Sequence, residues 1–124
     1  MLGPIKTVCA FVEDQQRALE FYTQKLGFEL RRKESMGPNA NWLEVAPPGA
    51  QTSLVLYPKA MMANWQEMKP AVVFHCADVE ATCRQLEANG VRIPMPPTSM
   101  AWGIFAKFAD PDGNEFGMTS QKLA

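Results

Sequence analysis

FADPDGNEF, residues 108–116, places two aspartates and an asparagine within five residues, and reads either as a cation loop or as a tight turn. An EF-hand calcium loop needs glycine at its sixth position and a bidentate glutamate at its twelfth. Counted from Asp110, Gly113 is the fourth residue and the twelfth is Gln121, so the spacing fails. A turn accounts for the residues better. Pro111 presets φ for the first turn position, Asp112 tolerates the second, and Gly113 takes a positive φ. Alternating apolar runs lie on both sides, WGIFAKF (102–108) and EFGMTS (115–120), which is a hairpin signal. The stretch is expected to join two strands and to fix the register of the last one.

Working outward, the chain contains one pattern twice. VCAFVEDQQRALEFYTQKLGFEL (8–30) sets above AVVFHCADVEATCRQLEANGVRI (71–93), with Asp14 on Asp78, Tyr22 on Leu86, and Gly27 near Gly90 after a one-residue slip. Each copy predicts a strand, an aspartate that caps a helix, the helix, a glycine stop and another strand. Ala18, Phe21, Tyr22 and Lys25–Leu26 give the first helix an apolar face; Val79, Cys83 and Leu86 give the second one. NWLEVAPPG (41–49) and TSLVLYP (52–58) supply further strands to the first half, and AWGIFAKF (101–108) and EFGMTS to the second. The Met-rich linker KAMMANWQEMKP has room for a short helical turn.

Composition narrows the function classes. A chain of 124 residues fits one domain with one sizeable core. The net charge of −1, with acids and bases mixed, gives no electrostatic case for nucleic acid or an anionic membrane. No run is long and apolar enough to span a bilayer, and the first residues lack a signal-peptide core, so a cytoplasmic protein is expected. Cys9, Cys76 and Cys83 are odd in number, fit no zinc spacing, and read as reduced thiols. No nucleophile elbow, phosphate-binding loop or paired cysteine ligands occur.

Two βαβββ halves, an opening strand that runs into a capping aspartate, and DPDGN in register with FVEDQQRALEFYTQKLGF resemble the vicinal oxygen chelate superfamily over nearly the whole chain. That group includes glyoxalase I, bleomycin-resistance proteins, fosfomycin-resistance enzymes and extradiol dioxygenases. The resemblance implies an α+β fold in which two βαβββ modules form a curved mixed sheet, an incomplete barrel around a cup. It implies one domain over 1–124, with a first module at 1–58, a linker at 59–69 and a second module at 70–124. It also implies a homodimer. Metal-dependent members place one ligand on each of four strands. Counting seven back from Asp14 and from Asp78 gives Thr7 and Ala71; counting seven on from Asp110 gives Gly117; aligning SLVL with EFGM gives Val55. None is an imidazole, carboxylate or thiolate donor. The expectation is therefore no metal and no other cofactor. The rival is a two-residue shift of register that moves Glu115 to the ligand position, where His75 joins it around a divalent metal.

If Thr7 faces the cup, strand alternation brings Cys9 and Phe11 with it. The same parity brings Tyr57 with Val55, His75 with Ala71, and Glu115 with Gly117, while Trp42 and Glu44 face the cup from 41–45. The candidate ligand-binding set is thus Thr7, Cys9, Phe11, Trp42, Glu44, Val55, Tyr57, His75 and Glu115. This lining suits a small aromatic or amphipathic molecule. His75 and Glu115 are the catalytic candidates of the alternative, a metal-dependent lyase, isomerase or dioxygenase. As a general base His75 needs Glu44 or Glu115 to set its tautomer. Each residue also has a plainer reading: Trp42 and Tyr57 as packing, Cys9 as a small filler, His75 as a wall residue. A module that only dimerises, its cup filled by side chains, is the third possibility.

Overall fold

The structure, a computed structural model, describes residues 1, 5–63, 71–100 and 103–120. The chain divides into two compact units, Met1–Pro70 and Ala71–Ala124. Each is a βαβββ module of α+β class, and the two share one topology.

In the first unit β1 (Thr7–Val12) leads to α1 (Gln15–Glu20), a π-helical turn at Phe21–Lys25, and then β2 (Glu29–Gly37), β3 (Ala40–Ala46) and β4 (Ser53–Pro58). The sheet order is β1-β4-β3-β2, with β1 parallel to β4 and the other neighbours antiparallel. Asp14 caps α1 as the sequence predicts, its Oδ1 accepting the Arg17 amide at 3.1 Å. Such a cap contributes about 1 kcal/mol. The helix lies over one sheet face. Ala10, Val12, Leu43, Val45, Leu56, Phe21 and Tyr22 are all at most 5 % exposed there. Fully burying one such aliphatic or aromatic side chain contributes roughly 1.5–3 kcal/mol. The expected single helix instead changes to a π turn at Phe21, where these adjacent aromatics both turn inward. Of its expected apolar face, Lys25 is exposed.

In the second unit β5 (Val73–His75), α2 (Val79–Ala88), β6 (Arg92–Met100), β7 (Gly103–Ala109) and β8 (Glu115–Thr119) repeat the arrangement, ordered β5-β8-β7-β6. Asp78 Oδ1 accepts the Ala81 amide at 3.0 Å. Val79, Cys83 and Leu86 are buried beneath α2, and Phe74, Phe108 and Phe116 pack together with ring centroids 5.3–6.0 Å apart. The expected linker falls partly outside the described residues: Lys59–Met61 form a 3₁₀ turn, and 64–69 are not described. Residues 101–102 of the expected AWGIFAKF strand also lie outside.

The DPDGN stretch is a turn. The Gly113 amide donates to the Asp110 carbonyl at 3.1 Å, and Gly113 adopts φ 83°. Asp110 is 5 % exposed, and the turn itself uses its carboxylate. Oδ1 accepts the amides of Asp112 and Asn114 at 3.0 and 2.8 Å, and Oδ2 accepts Asn114 Nδ2 at 2.8 Å. These bonds fix the β7–β8 register: Ala109 opposite Glu115, Lys107 opposite Gly117, Phe105 opposite Thr119.

Candidate functional site

On the first unit, the sheet face away from α1 carries every candidate that the sequence places in that half. Thr7 pairs with Ser53, Cys9 with Val55, and Phe11 with Tyr57, while Glu44 pairs with Val55 on the other side. Side chains on paired residues share a face, so Thr7, Cys9, Phe11, Val55, Tyr57 and Glu44 line one surface, with Trp42 one pleat along. Phe11 and Tyr57 meet edge to face at 6.0 Å, and Tyr57 meets Trp42 in the same way at 6.3 Å. The row ends on a carboxylate. Trp42 Nε1 donates to Glu44 Oε2 at 2.7 Å, and the Glu44 side chain is 8 % exposed.

A carboxylate buried to that degree needs hydrogen bonds and a counter-charge. Arg32 supplies the charge: its NH1 lies 3.6 Å from Glu44 Oε2, and its NH2 lies 2.9 Å from Glu34 Oε2. Glu34 in turn is held below the usual carboxylate range by the Arg32 hydrogen bond and charge. Arg32 and Glu34 are not among the residues that the sequence singles out. They lie within β2, and a bulge brings them to this face. Leu30 pairs with Val45 and Arg32 with Glu44, so two steps on β2 meet one on β3. The parity of β2 changes at Arg31, which instead donates to the carbonyls of Ala50 and Pro47. Cys9 behaves as a filler: burial raises its thiol above the ordinary value, which keeps it neutral and weakly nucleophilic.

In the second unit His75 pairs with Thr119 and Val73 with Gly117. Glu115 sits opposite Ala109, beside the turn. His75 and Glu115 thus face the same way from adjacent strands but are offset by four residues, about 13 Å along the strand. Both are exposed. The structure does not bring the two catalytic candidates together.

The register also locates the positions of the metal quartet. Val55 pairs with Cys9, two residues past Thr7, and Gly117 pairs with Val73, two residues past Ala71. The two modules are therefore in matching register, and Gly117 rather than Glu115 is the equivalent of Val55. Gly117 carries no ligating side chain, and the Phe105 ring occupies the space one would take. A Cβ there would meet Phe105 ring carbons at 2.8 and 2.9 Å and Val73 Cγ2 at 3.1 Å. A hydroxyl at Thr7, aliphatic groups at Val55 and Ala71, and an aromatic ring over Gly117 do not fit a catalytic divalent metal. Among the described residues, no three His, Cys, Asp or Glu side chains cluster as a metal site would require.

A cavity of about 550 Å³ opens on the opposite, helix-side face of the first sheet, between α1 and the β2–β3 hairpin. Its walls include Glu13, Asp14, Gln16, Lys33 and Asn39, and none of the nine candidate residues. Gln15 closes its inner end by donating to the Asn41 and Leu56 carbonyls at 2.6 and 2.8 Å. This wedge has no aromatic wall, whereas the Phe11–Tyr57–Trp42 face combines aromatic surface with a buried charge. The second arrangement is the one suited to holding an organic molecule.

Comparison with known proteins agrees with this architecture. The chain is 49% identical over 116 residues to the uncharacterized protein YetH of Bacillus subtilis, covering 94% of this chain and 97% of that one. The crystal structure of TnmS3, an antibiotic binding protein from Streptomyces sp. CB03234, superposes with a TM-score of 0.82 at 33% identity, covering 98% of both chains. A superfamily member from Sphaerobacter thermophilus superposes with a TM-score of 0.84 at 31% identity, covering 95% of this chain and 97% of that one. The sequence profile of the Glyoxalase/Bleomycin resistance protein/Dioxygenase superfamily matches residues 5–118, and the chain belongs to that superfamily.

Proposed function

We propose that this protein binds a small aromatic or amphipathic molecule on the Phe11–Tyr57–Trp42 face of its first module, and does so without the metal centre of its catalytic relatives. The observation that carries the reading is the edge-to-face row of three aromatic rings ending on the buried Glu44 carboxylate. The half-exposed Trp42 and Tyr57 offer ring surface, and Glu44 offers orientation. The donor-poor residues at the four ligand positions and the ring over Gly117 support the metal-free part. The likeness to a protein described as antibiotic binding supports the ligand class. The same reading makes the protein a cytoplasmic homodimer. The free cysteines Cys9, Cys76 and Cys83 support a reducing compartment in this reading.

The test is a thermal-shift screen of aromatic compounds and antibiotics, run with and without a chelator. A ligand at a hundredfold excess over its Kd adds about 2.7 kcal/mol. For a chain of this size that corresponds to a Tm rise on the order of 10 °C. The expected result is at least one such binder whose shift survives EDTA and is lost in Trp42→Ala. Silence across the library, or a shift abolished by EDTA, overturns the proposal.

A further inference from the structure

The aromatic face carries an unbalanced charge. Arg32 is one cation held by two carboxylates, Glu34 at 2.9 Å and Glu44 at 3.6 Å, so the three groups together carry one net negative charge. Among the described residues, the contacts of Glu44 with the Trp42 indole and with Arg32 both fall on Oε2, and no hydrogen-bond donor reaches Oε1. Yet no buried side-chain oxygen or nitrogen among them lacks a partner. Oε1 therefore keeps an opening to solvent, although the side chain as a whole is 8 % exposed. An acceptor oxygen at the end of an aromatic row, in a group with one charge uncompensated, is built to receive a donor.

We propose that Glu44 is the specificity-determining residue of this face, and that the ligand it selects is a flat aromatic ring bearing a positive charge. This rests on the aromatic-binding reading above and goes beyond it by fixing the ligand's charge. A cationic ring gains in two ways. Its charge meets Glu44 Oε1 in a partly desolvated place, where an ion pair is worth more than at an open surface. Its charge also lies against the electron-rich faces of Trp42 and Tyr57. An anionic ring of the same shape meets the uncompensated carboxylate and is repelled.

Three acridines of nearly equal shape separate the two readings: 9-aminoacridine, which is cationic at mildly alkaline pH, neutral acridine, and anionic acridine-9-carboxylate. Binding of each to the full chain is followed by fluorescence in low salt with EDTA. The expected order is cation, then neutral, then anion, with the cation about tenfold tighter than neutral acridine, the scale of one partly buried ion pair. Glu44→Gln keeps an oxygen for the Trp42 indole and removes the cation preference, bringing the affinity ratio of 9-aminoacridine to neutral acridine to about one. Arg32→Gln, which removes the face's cation, increases the preference; this second variant decides the matter if Glu44→Gln does not fold. Neutral acridine binding as well as the cation, with neither variant changing the ratio, overturns the role of Glu44 and leaves aromatic binding standing. Failure of all three to bind overturns both.

Discussion

Gly117 lies on β8, an inner strand of its sheet, and is buried beneath the Phe105 ring. Two opposing effects act on a side chain placed there. Replacing a strand glycine by alanine removes about 0.5–1 kcal/mol of entropic cost. Forcing a methyl group into a filled space costs typically 1–3 kcal/mol. With ring carbons at 2.8 and 2.9 Å from the new Cβ, the second effect wins, so Gly117→Ala is expected to destabilise by about 1–2 kcal/mol. Urea unfolding of the single and double variants checks this. In a Phe105→Ala background the penalty should vanish or change sign, and an equal penalty in both backgrounds would clear the ring of responsibility. The position of Gly117 was legible by counting from Asp110. What fills its space was not, because that depends on the lateral pairing of Phe105 with Thr119 and on the direction of one ring.

The turn and the bulge show what an element reveals and conceals. Residues 110–114 were readable because proline, aspartate and glycine have fixed roles in a tight turn. The carboxylate of Asp110 accepts three donors there while 5 % exposed. Asp110→Ala leaves buried amides without their acceptor, and a lost hydrogen bond to a charged group costs about 1.5–3 kcal/mol. A loss on that scale is expected in chemical denaturation, while calcium should leave the wild-type Tm unmoved. A calcium-dependent rise in Tm would restore the cation-loop reading. The β2 bulge, by contrast, has no such signature in LRRKES. Nothing local to that stretch says that Arg32, and not Arg31, stands across from Glu44. Strand parity alone puts Trp42, Glu44 and Tyr57 on one face, but it cannot place the side chains of β2, where the parity changes within the strand.

At the scale of the whole molecule, the repeat seen in the sequence reappears as two sheets of identical order, each ending on its first strand. A strand at the end of a sheet presents backbone groups that pair readily with another chain, unless charge, proline or a cover prevents it. β5 has neither proline, lysine nor a carboxylate: its sequence is VFH, and Val73 is 56 % exposed. Ile5, just before β1, is 71 % exposed. Exposed apolar side chains beside edge strands are the kind of surface that a closed, two-fold pair of chains removes from water. We therefore expect a homodimer in solution, with a light-scattering mass twice the 13.8 kDa of one chain. Val73→Lys puts a charge on that edge and should shift the population toward the monomer while the far-ultraviolet circular dichroism stays unchanged. A wild-type protein that elutes and scatters as a monomer across the micromolar range would refute the dimer, and would leave the aromatic face of the first module to act within a single chain.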